Sequence, residues 1–457
     1  MTWNDTTHLE ENHSVLNSKV IISLLLVLLG WSTSFAQAIK VEIAERDGGW
    51  TLLRDGKPYE VKGAGGQSYL DDLVEVGGNS IRTWSLEKAQ EYLDEAHKRG
   101  LTVVMGLWVQ HERHGFDYND QAAVAKQLDY FTRKVREFKD HPALLMWGVG
   151  NEVDLFYTNH KVWNAVQDIA AMIHREDPNH PTTTITAGLH RQEVELVTKM
   201  APDIDIFGVN TYGGLKHALD SIDDYGWDGP FLIAEWGPNG HWEVDKMPWG
   251  APIEQSSSSK AQSYADRYRL ILNAPNCVGS YVFLWGQKQE TTSTWYGLFT
   301  YDGNQTEPID ELHKAWKNSD EQNHSPQIKD FGLLEQDQPV KQNFLIEGKS
   351  YQAFAKFHDP DGDKLKINWS IVSESTDTKA GGDVESTPPA IPGLVQKRGP
   401  NGITFKAPQN EGAYRLYINA RDGNGKTGYV NIPFYVKPDL NPSNKVQLRK
   451  RELEFSY

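Results

Sequence analysis

The chain has 457 residues, 46 basic and 62 acidic, for a net charge of -16. That balance excludes binding along a phosphate backbone, which relies on clustered Lys and Arg, so nucleic acid is not an expected partner. The length leaves room for more than one domain, one of them a barrel of about 250 residues, and 15 Trp and 19 Tyr supply flat rings of the kind sugar clefts use as platforms, although most such rings are core.

Residues 20–29, VIISLLLVLL, follow Lys19 and precede small residues ending in Ala36, Gln37 and Ala38. This is the pattern of a secretory signal, residues 1–38, cleaved before Ile39. The run is too short to span a bilayer. The expectation is a secreted, periplasmic or cell-surface protein with no membrane span after signal cleavage. The long segment ahead of the run carries Asp5, Glu10 and Glu11, which leaves a start further into the chain, or a retained anchor, as other readings. Cys277 is the single cysteine, expected as a buried thiol, so no internal disulfide forms.

From Ile39 to Lys317 short apolar runs alternate with amphipathic segments, the signature of β-α units. VEIAERDGGWTLLRDGKPYEV reads as a hairpin closing the bottom of a barrel. Eight strands are expected at 59–65, 79–84, 101–108, 143–151, 182–188, 205–212, 231–236 and 278–286, with helices such as Leu86 to Arg99, Ala122 to Phe138 and Val162 to Arg175 between them. This fits a (β/α)8 barrel over 39–317. An open doubly wound sheet shares the alternation but gathers its ligand near one switch point, whereas here polar strand ends recur on most strands.

A polar linker is expected at 318–330. From 331 to 440 the alternation changes to period two, in YQAFAKF, KLKINWSIV, YRLYINAR and YVNIPFYV, which predicts a small immunoglobulin-like sandwich. Its DPDGD turn at 359–363 reads first as turn chemistry, with calcium as the lesser reading. Residues 373–395, rich in Ser, Thr, Gly and Pro, read as a long loop, and 441–457 as a charged tail.

A barrel's site lies at the C-terminal ends of its strands. Standing there are Arg82 and Trp84, Trp108, Asn151 and Glu152, Asn210 and Tyr212, Glu235 and Trp236, and Trp285. Each alone has a plain structural explanation, such as a helix cap, an ion pair or a ring plugging the barrel mouth. Jointly they read as chemistry, because two carboxylates ending two strands are what a glycosidase needs. A carboxylate beside a guanidinium and a phenol stays ionised, and one in an aromatic pocket keeps its proton to higher pH. His111 to His114, HERH, lacks the spacing of a helical zinc motif and reads as loop hydrogen bonds or substrate contacts. Gly63, Gly65 and Gly66 lack a dinucleotide-loop context. Asp154 and His190 are placed along the cleft, and the loop 239–259, with Trp242 and Trp249, either walls it or packs as an ordinary loop.

The NE of GVGNEV, the EWG of FLIAEWG, the RTW of strand two and the Trp ending strand eight together resemble clan A glycoside hydrolases, retaining enzymes on a (β/α)8 barrel. Within the clan the chain is similar to family 2 barrels and, through its immunoglobulin-like C-terminal module, to bacterial family 158 endo-β-1,3-glucanases. The roughly twenty residues ahead of the barrel are too few for the jelly roll of a full family 2 enzyme. The resemblance implies that Glu152 is the acid/base, Glu235 the nucleophile and Asn151 the partner of the sugar 2-hydroxyl. It further implies that Arg82 and Tyr212 position Glu235 and that Trp285 stacks under the sugar. It implies hydrolysis of a polysaccharide, β-1,3-glucan first, with no cofactor or metal; transglycosylation and a non-catalytic carbohydrate-binding barrel are the alternatives.

Overall fold

The computed structural model describes residues 38–46 and 48–440. The apolar run of the expected signal and the tail at 441–457 lie outside the described residues. Among the described residues no helix is long and apolar enough to cross a membrane.

The N-terminal strands β1 (Val41–Arg46), β2 (Gly49–Arg54) and β3 (Lys57–Pro58) form an antiparallel sheet. Val41 and Leu52 from this sheet join Val61, Val104, Met146, Ile206 and Leu232 of the barrel in one apolar cluster. The hairpin therefore plugs the lower end of the barrel, and burying a side chain such as Leu52 contributes about 2 kcal/mol.

The barrel strands are β4 (Val61–Gly65), β5 (Ser80–Arg82), β6 (Thr102–Leu107), β7 (Leu144–Asn151), β8 (Thr182–Ala187), β9 (Ile206–Asn210), β10 (Phe231–Trp236) and β11 (Cys277–Val282). They close in the order β10-β11-β4-β5-β6-β7-β8-β9, and the pairings are parallel. Around them run α1 (Leu70–Val76), α2 (Ala89–Lys98), α3 (Gln121–Phe138), α4 (Lys161–Glu176), α5 (Arg191–Met200), α6 (Leu215–Ser221), α7 (Ser257–Leu272) and α8 (Glu307–Lys317). In α3, the Asp120 carboxylate accepts from the amides of Ala122 and Ala123, and the buried residues Gln127, Phe131, Val135 and Phe138 lie on one face. Cys277 opens β11 partly buried rather than fully so, and its thiol donates to the Gly279 carbonyl.

β12 (Gln305–Thr306) pairs with the sandwich, tying the last barrel segment to it. The sandwich follows as β13 (Gln327–Glu335), β14 (Gln338–Pro339), β15 (Phe344–Ile346), β16 (Ser350–His358), β17 (Lys366–Ser373), β18 (Val395–Arg398), β19 (Gly402–Lys406), β20 (Gly412–Arg421) and β21 (Lys426–Lys437). One sheet runs β12-β21-β20-β17 with β15 on β21, the other β14-β13-β16-β19-β18. The fold is thus a (β/α)8 barrel followed by an all-β sandwich. β13 starts at Gln327, inside the segment expected as linker, because Ile328 is already buried against the sandwich core.

Polar groups buried between the two units lock them together. Lys260 of α7 pairs with Glu254 at 2.6 Å and also donates to the carbonyls of Thr294 and Trp295 and to the Tyr429 hydroxyl of β21. Lys426 of β21 pairs with Asp310 of α8 at 2.6 Å. Trp249, on the loop 239–259 that reads either as a cleft wall or as ordinary packing, packs on Phe344 and Tyr435 of the sandwich. In the DPDGD turn, Asp359 accepts from the amides of Asp361 and Asp363, and Asp361 pairs with His324, which is turn and surface chemistry.

Candidate active site

At the C-terminal end of the barrel lies a cavity of about 960 Å³. Of the side chains expected there, Trp84, Trp108, Asn151, Glu152, Asn210, Tyr212 and Glu235 line it.

How the two glutamates reach this cavity is a matter of strand register. Along β10, Leu232 and Ala234 belong to the interior cluster, while Phe231, Ile233 and Trp236 pack on the helix side. Strict alternation would put Glu235 on the helix side with Ile233. The pairing with β9 shifts between Ile233 and Glu235, and the shift turns Glu235 inward. In β7, Trp147 and Val149 likewise face the helices, and the pairing with β8 shifts between Gly148 and Asn151. Gly150, at φ +82°, makes the turn; a side chain there would also press on Val153 at 3.0 Å. Glu152 itself sits at φ +50°, a conformation a non-glycine residue adopts at some cost and one that clusters at functional sites. Its amide donates to the Ile185 carbonyl at 2.8 Å, which fixes the bend.

Glu235 is buried and accepts from three different side chains. The Arg82 guanidinium donates to Oε1 at 2.7 Å, the Trp84 indole to the same oxygen at 2.8 Å, and the Tyr212 hydroxyl to Oε2 at 3.0 Å. Burial and the neighbouring Glu235 push the Tyr212 phenol well above its ordinary range, which keeps it a donor. The second arm of Arg82 donates to Asn151 Oδ1 at 2.6 Å. Asn210 donates from one amide nitrogen to Asn151 Oδ1 at 3.1 Å and to Glu152 Oε1 at 2.9 Å. A continuous chain of hydrogen bonds therefore runs from Glu235 through Arg82, Asn151 and Asn210 to Glu152. Burial, and then the charge of Glu235, push Glu152 up to about 7; the bond from Asn210 and the charge of Arg82 work the other way. Behind it, burial pushes Asp154 up to about 8 while its carboxylate receives the Ala187 amide. His190 lines the cavity; Asp154 does not.

Two expected contacts differ from the observed positions. Trp236 is fully buried and packs on Tyr264 and Tyr268 of α7, because the register shift that brings Glu235 in leaves Trp236 out. Trp285 is 1% exposed, donates its indole N–H to the Tyr69 carbonyl at 3.0 Å and packs edge-on against Phe299. The strand expected to reach residue 286 stops at Val282, and the residues that line the cavity there are Phe283 and Leu284.

In HERH, His111 is buried with Nε2 donating to the Asn151 carbonyl at 2.7 Å, and burial lowers it to about 4, so the ring is neutral. Glu112 receives the amides of Thr158 and Asn159 and the Thr158 hydroxyl. These are loop hydrogen bonds. Among the described residues no group of His, Cys, Asp and Glu is disposed to hold a metal ion.

Several cavity residues carry no signal in the strand-end pattern. Phe156 and Trp242 are exposed rings on its wall, at 69% and 57%. Lys288 and Glu290 form an ion pair of 2.7 Å within it. Thr378 to Asp383, from the loop between β17 and β18, complete the wall.

Residues 75–238 match the glycosyl hydrolases family 2 TIM barrel domain, one of the two families named above; the match does not extend to family 158. The chain is 24% identical to a beta-glucuronidase of Sus scrofa over 156 residues, covering 33% of this chain and 21% of that protein. It is 25% identical to the beta-glucuronidase of Felis catus over the same length and the same shares. The chain thus spans about a fifth of the length of these curated relatives. Among solved structures, it is similar to a beta-D-glucuronidase of Dictyoglomus thermophilum, with a TM-score of 0.47 and 18% identity, covering 62% of this chain and 54% of that one. For a Ruminococcus gnavus beta-glucuronidase the TM-score is 0.49 and the identity 17%, covering 61% of this chain and 53% of that one.

Proposed function

We propose that this chain is a retaining β-glycosidase in which Glu235 is the nucleophile and Glu152 the acid/base. The observation that carries the reading is the unlike setting of two glutamates in one cavity. Glu235 is held by three donors, and Glu152 is pushed up to about 7, where a carboxyl group both gives and takes a proton near neutral pH. The match to a glycosyl hydrolase barrel over residues 75–238 supports the same class.

In the first step Glu235 attacks the anomeric carbon as the glycosidic C–O bond breaks, and Glu152 gives its proton to the departing oxygen. A glycosyl ester on Glu235 results. In the second step Glu152, now a carboxylate, takes a proton from water as the water oxygen bonds to the anomeric carbon and the ester bond breaks. Asn151, held by both Arg82 and Asn210, is placed to meet the 2-hydroxyl of the sugar. No cofactor enters. A sugar hydroxyl replacing water in the second step would make the product a longer chain, and the exposed rings Phe156 and Trp242 favour such an acceptor.

As substrate we propose β-1,3-glucan, cut internally by an exported enzyme. The support is the sandwich joined to the barrel and a cavity rim of exposed rings, which suits a neutral chain of pyranoses. A β-glucuronide is the second reading, favoured by the Lys288 ammonium in the cavity wall and by the activity named for the curated relatives. Hydrolysis of linkage-defined β-glucans, mannans, galactans and aryl β-glucuronides separates these, with proton NMR of the first-formed anomer as the test of mechanism. Retention of the β-anomer by the parent, and loss of turnover in Glu235→Gln, are expected. An α-anomer, or a Glu235→Gln variant as fast as the parent, overturns the assignment.

A further inference from the structure

The sandwich does not merely follow the barrel; it reaches into the site. Its loop between β17 and β18, residues 374–394, contributes Thr378 to Asp383 to the cavity that holds Glu152 and Glu235. Those six residues are small or polar, whereas the barrel loops supply the aromatic part of the wall, including Phe156 and Trp242.

The loop is fastened to the barrel by the side chains of Arg113, His114 and Lys288 and by the amide of Thr291, with Arg113 donating to the Ala380 carbonyl as well as to Asp383. Arg113 donates to Asp383 Oδ2 at 3.0 Å, and His114 lies 3.3 Å from the same oxygen. Lys288 donates to the Gly382 carbonyl at 2.7 Å. Glu385, 6% exposed, accepts the barrel amide of Thr291 at 2.6 Å and its own loop's Lys379 amide at 2.9 Å. At Gly381 the backbone lies on the barrel with no room for a side chain. A Cβ there would stand 2.7 Å from both the Arg113 guanidinium and the Leu155 side chain, at φ +63°. Leu155 follows Glu152 by three residues, so the loop seats on the segment that carries the proposed acid/base.

We propose that residues 378–383 of the sandwich are a specificity element of the cleft, the wall that sugar units beyond the reacting one lie against. The Arg113–Asp383 ion pair is its positioning clasp. This rests on the glycosidase reading and adds that the substrate is a linear oligosaccharide long enough to reach the second domain. The amides of Ala380 to Gly382, the Gly381 carbonyl and the Thr378 hydroxyl are donors and acceptors suited to sugar hydroxyls, while the bare glycines let the backbone lie against Arg113, Leu155 and Lys288.

Two full-length variants test it. One replaces residues 378–383 by a three-residue Gly-Ser-Gly link. The other, Asp383→Ala, releases the clasp without shortening the loop. The readout is the ratio of kcat/KM on a linear pentasaccharide to kcat/KM on an aryl glycoside of one sugar, measured with β-1,3-glucan, β-1,4-glucan and β-1,4-mannan pentasaccharides. The shortened loop is expected to lower that ratio about tenfold or more through KM, and Asp383→Ala to lower it in the same direction. A ratio unchanged in both variants overturns the proposal, as do equal losses on both substrates with a fall in Tm, which mark the loop as a brace. Calorimetric binding of the same pentasaccharides to Glu235→Gln, with and without the loop, reads the wall without catalysis. Tenfold weaker binding on shortening supports the proposal even if the glycosidase reading fails. Equal binding, or no binding of any of the three to the intact chain, overturns it.

Discussion

On the proposed mechanism the titration of Glu152 sets the alkaline limb of activity, and Asn210→Ala moves that limb in a known direction. The Asn210 amide donates to Glu152 Oε1 at 2.9 Å. That bond favours the charged carboxylate and opposes the burial and the Glu235 charge that together push the group up to about 7. Removing it therefore raises the pKa. A hydrogen bond to a charged group contributes ~1.5 kcal/mol or more, and one pKa unit corresponds to ~1.4 kcal/mol, so the expected shift is about one unit upward. Glu152 must hold its proton to act as the acid, so kcat/KM declines about tenfold per pH unit above the pKa. The parent should lose activity from near pH 7 and Asn210→Ala from about one unit higher, whatever the variant loses in absolute rate. The assay is kcat/KM from pH 5 to 9 on an aryl glycoside with a poor leaving group. A dinitrophenyl glycoside, whose oxygen departs without a proton, is the control and should flatten the limb. A limb that stays in place in Asn210→Ala, or that is as steep for the dinitrophenyl substrate, refutes the assignment of Glu152 as the acid.

Other consequences are open to measurement. Tyr212→Phe removes one of the three donors on Glu235 and should lower kcat about 10- to 100-fold with little change in KM; a parental kcat would remove Tyr212 from the positioning of the nucleophile. Glu152→Gln should stabilise the fold at alkaline pH. The folded carboxyl at about 7, against an ordinary 4.5, holds its proton where the unfolded chain has lost it. Stability therefore falls as pH rises between those values and stays lower above them. The Tm gain of the variant should accordingly be larger at pH 8 than at pH 4, and equal gains contradict the raised pKa. Lys260→Met leaves Glu254 buried without its cation between barrel and sandwich, and should cost about 3–5 kcal/mol in urea unfolding; an unchanged midpoint would mean that the pair does not hold the two units together. Trp84→Phe should lower kcat because the indole N–H bonds Glu235, whereas Trp236→Phe should act on Tm, since that ring meets only the core.

The barrel was legible because eight apolar runs separated by amphipathic helices leave few topologies, and because polar residues collect at one end of the runs. Which side chain faces the cavity was less legible, for a reason visible in both proposed catalytic strands. Alternation alone groups Glu235 with Phe231 and Ile233, and Asn151 with Trp147 and Val149, on the helix side. A register shift just ahead of each functional residue reverses this, and no residue type announces such a shift except Gly150 at its positive φ. Trp236 and Trp285 were expected to face the sugar because strands were read as unbroken to their last apolar residue. The shift in β10 and the end of β11 at Val282 turned both into core. The contribution of Thr378 to Asp383 was hidden more deeply, since it depends on how the second domain docks, through pairs such as Lys260 with Glu254 and Lys426 with Asp310 that lie far apart in the chain. The hydrogen-bond chain from Glu235 to Glu152 passes through Arg82, Asn151 and Asn210, which end three different strands, so these bonds are fixed by barrel closure, whereas the burial that raises Glu152 also depends on the loops around the cavity. Loop exchange, including loss of the sandwich wall, should therefore change which sugars are held while leaving these hydrogen bonds intact, and because burial is the first cause of the raised Glu152 pKa, a wetter site should move the alkaline limb to lower pH.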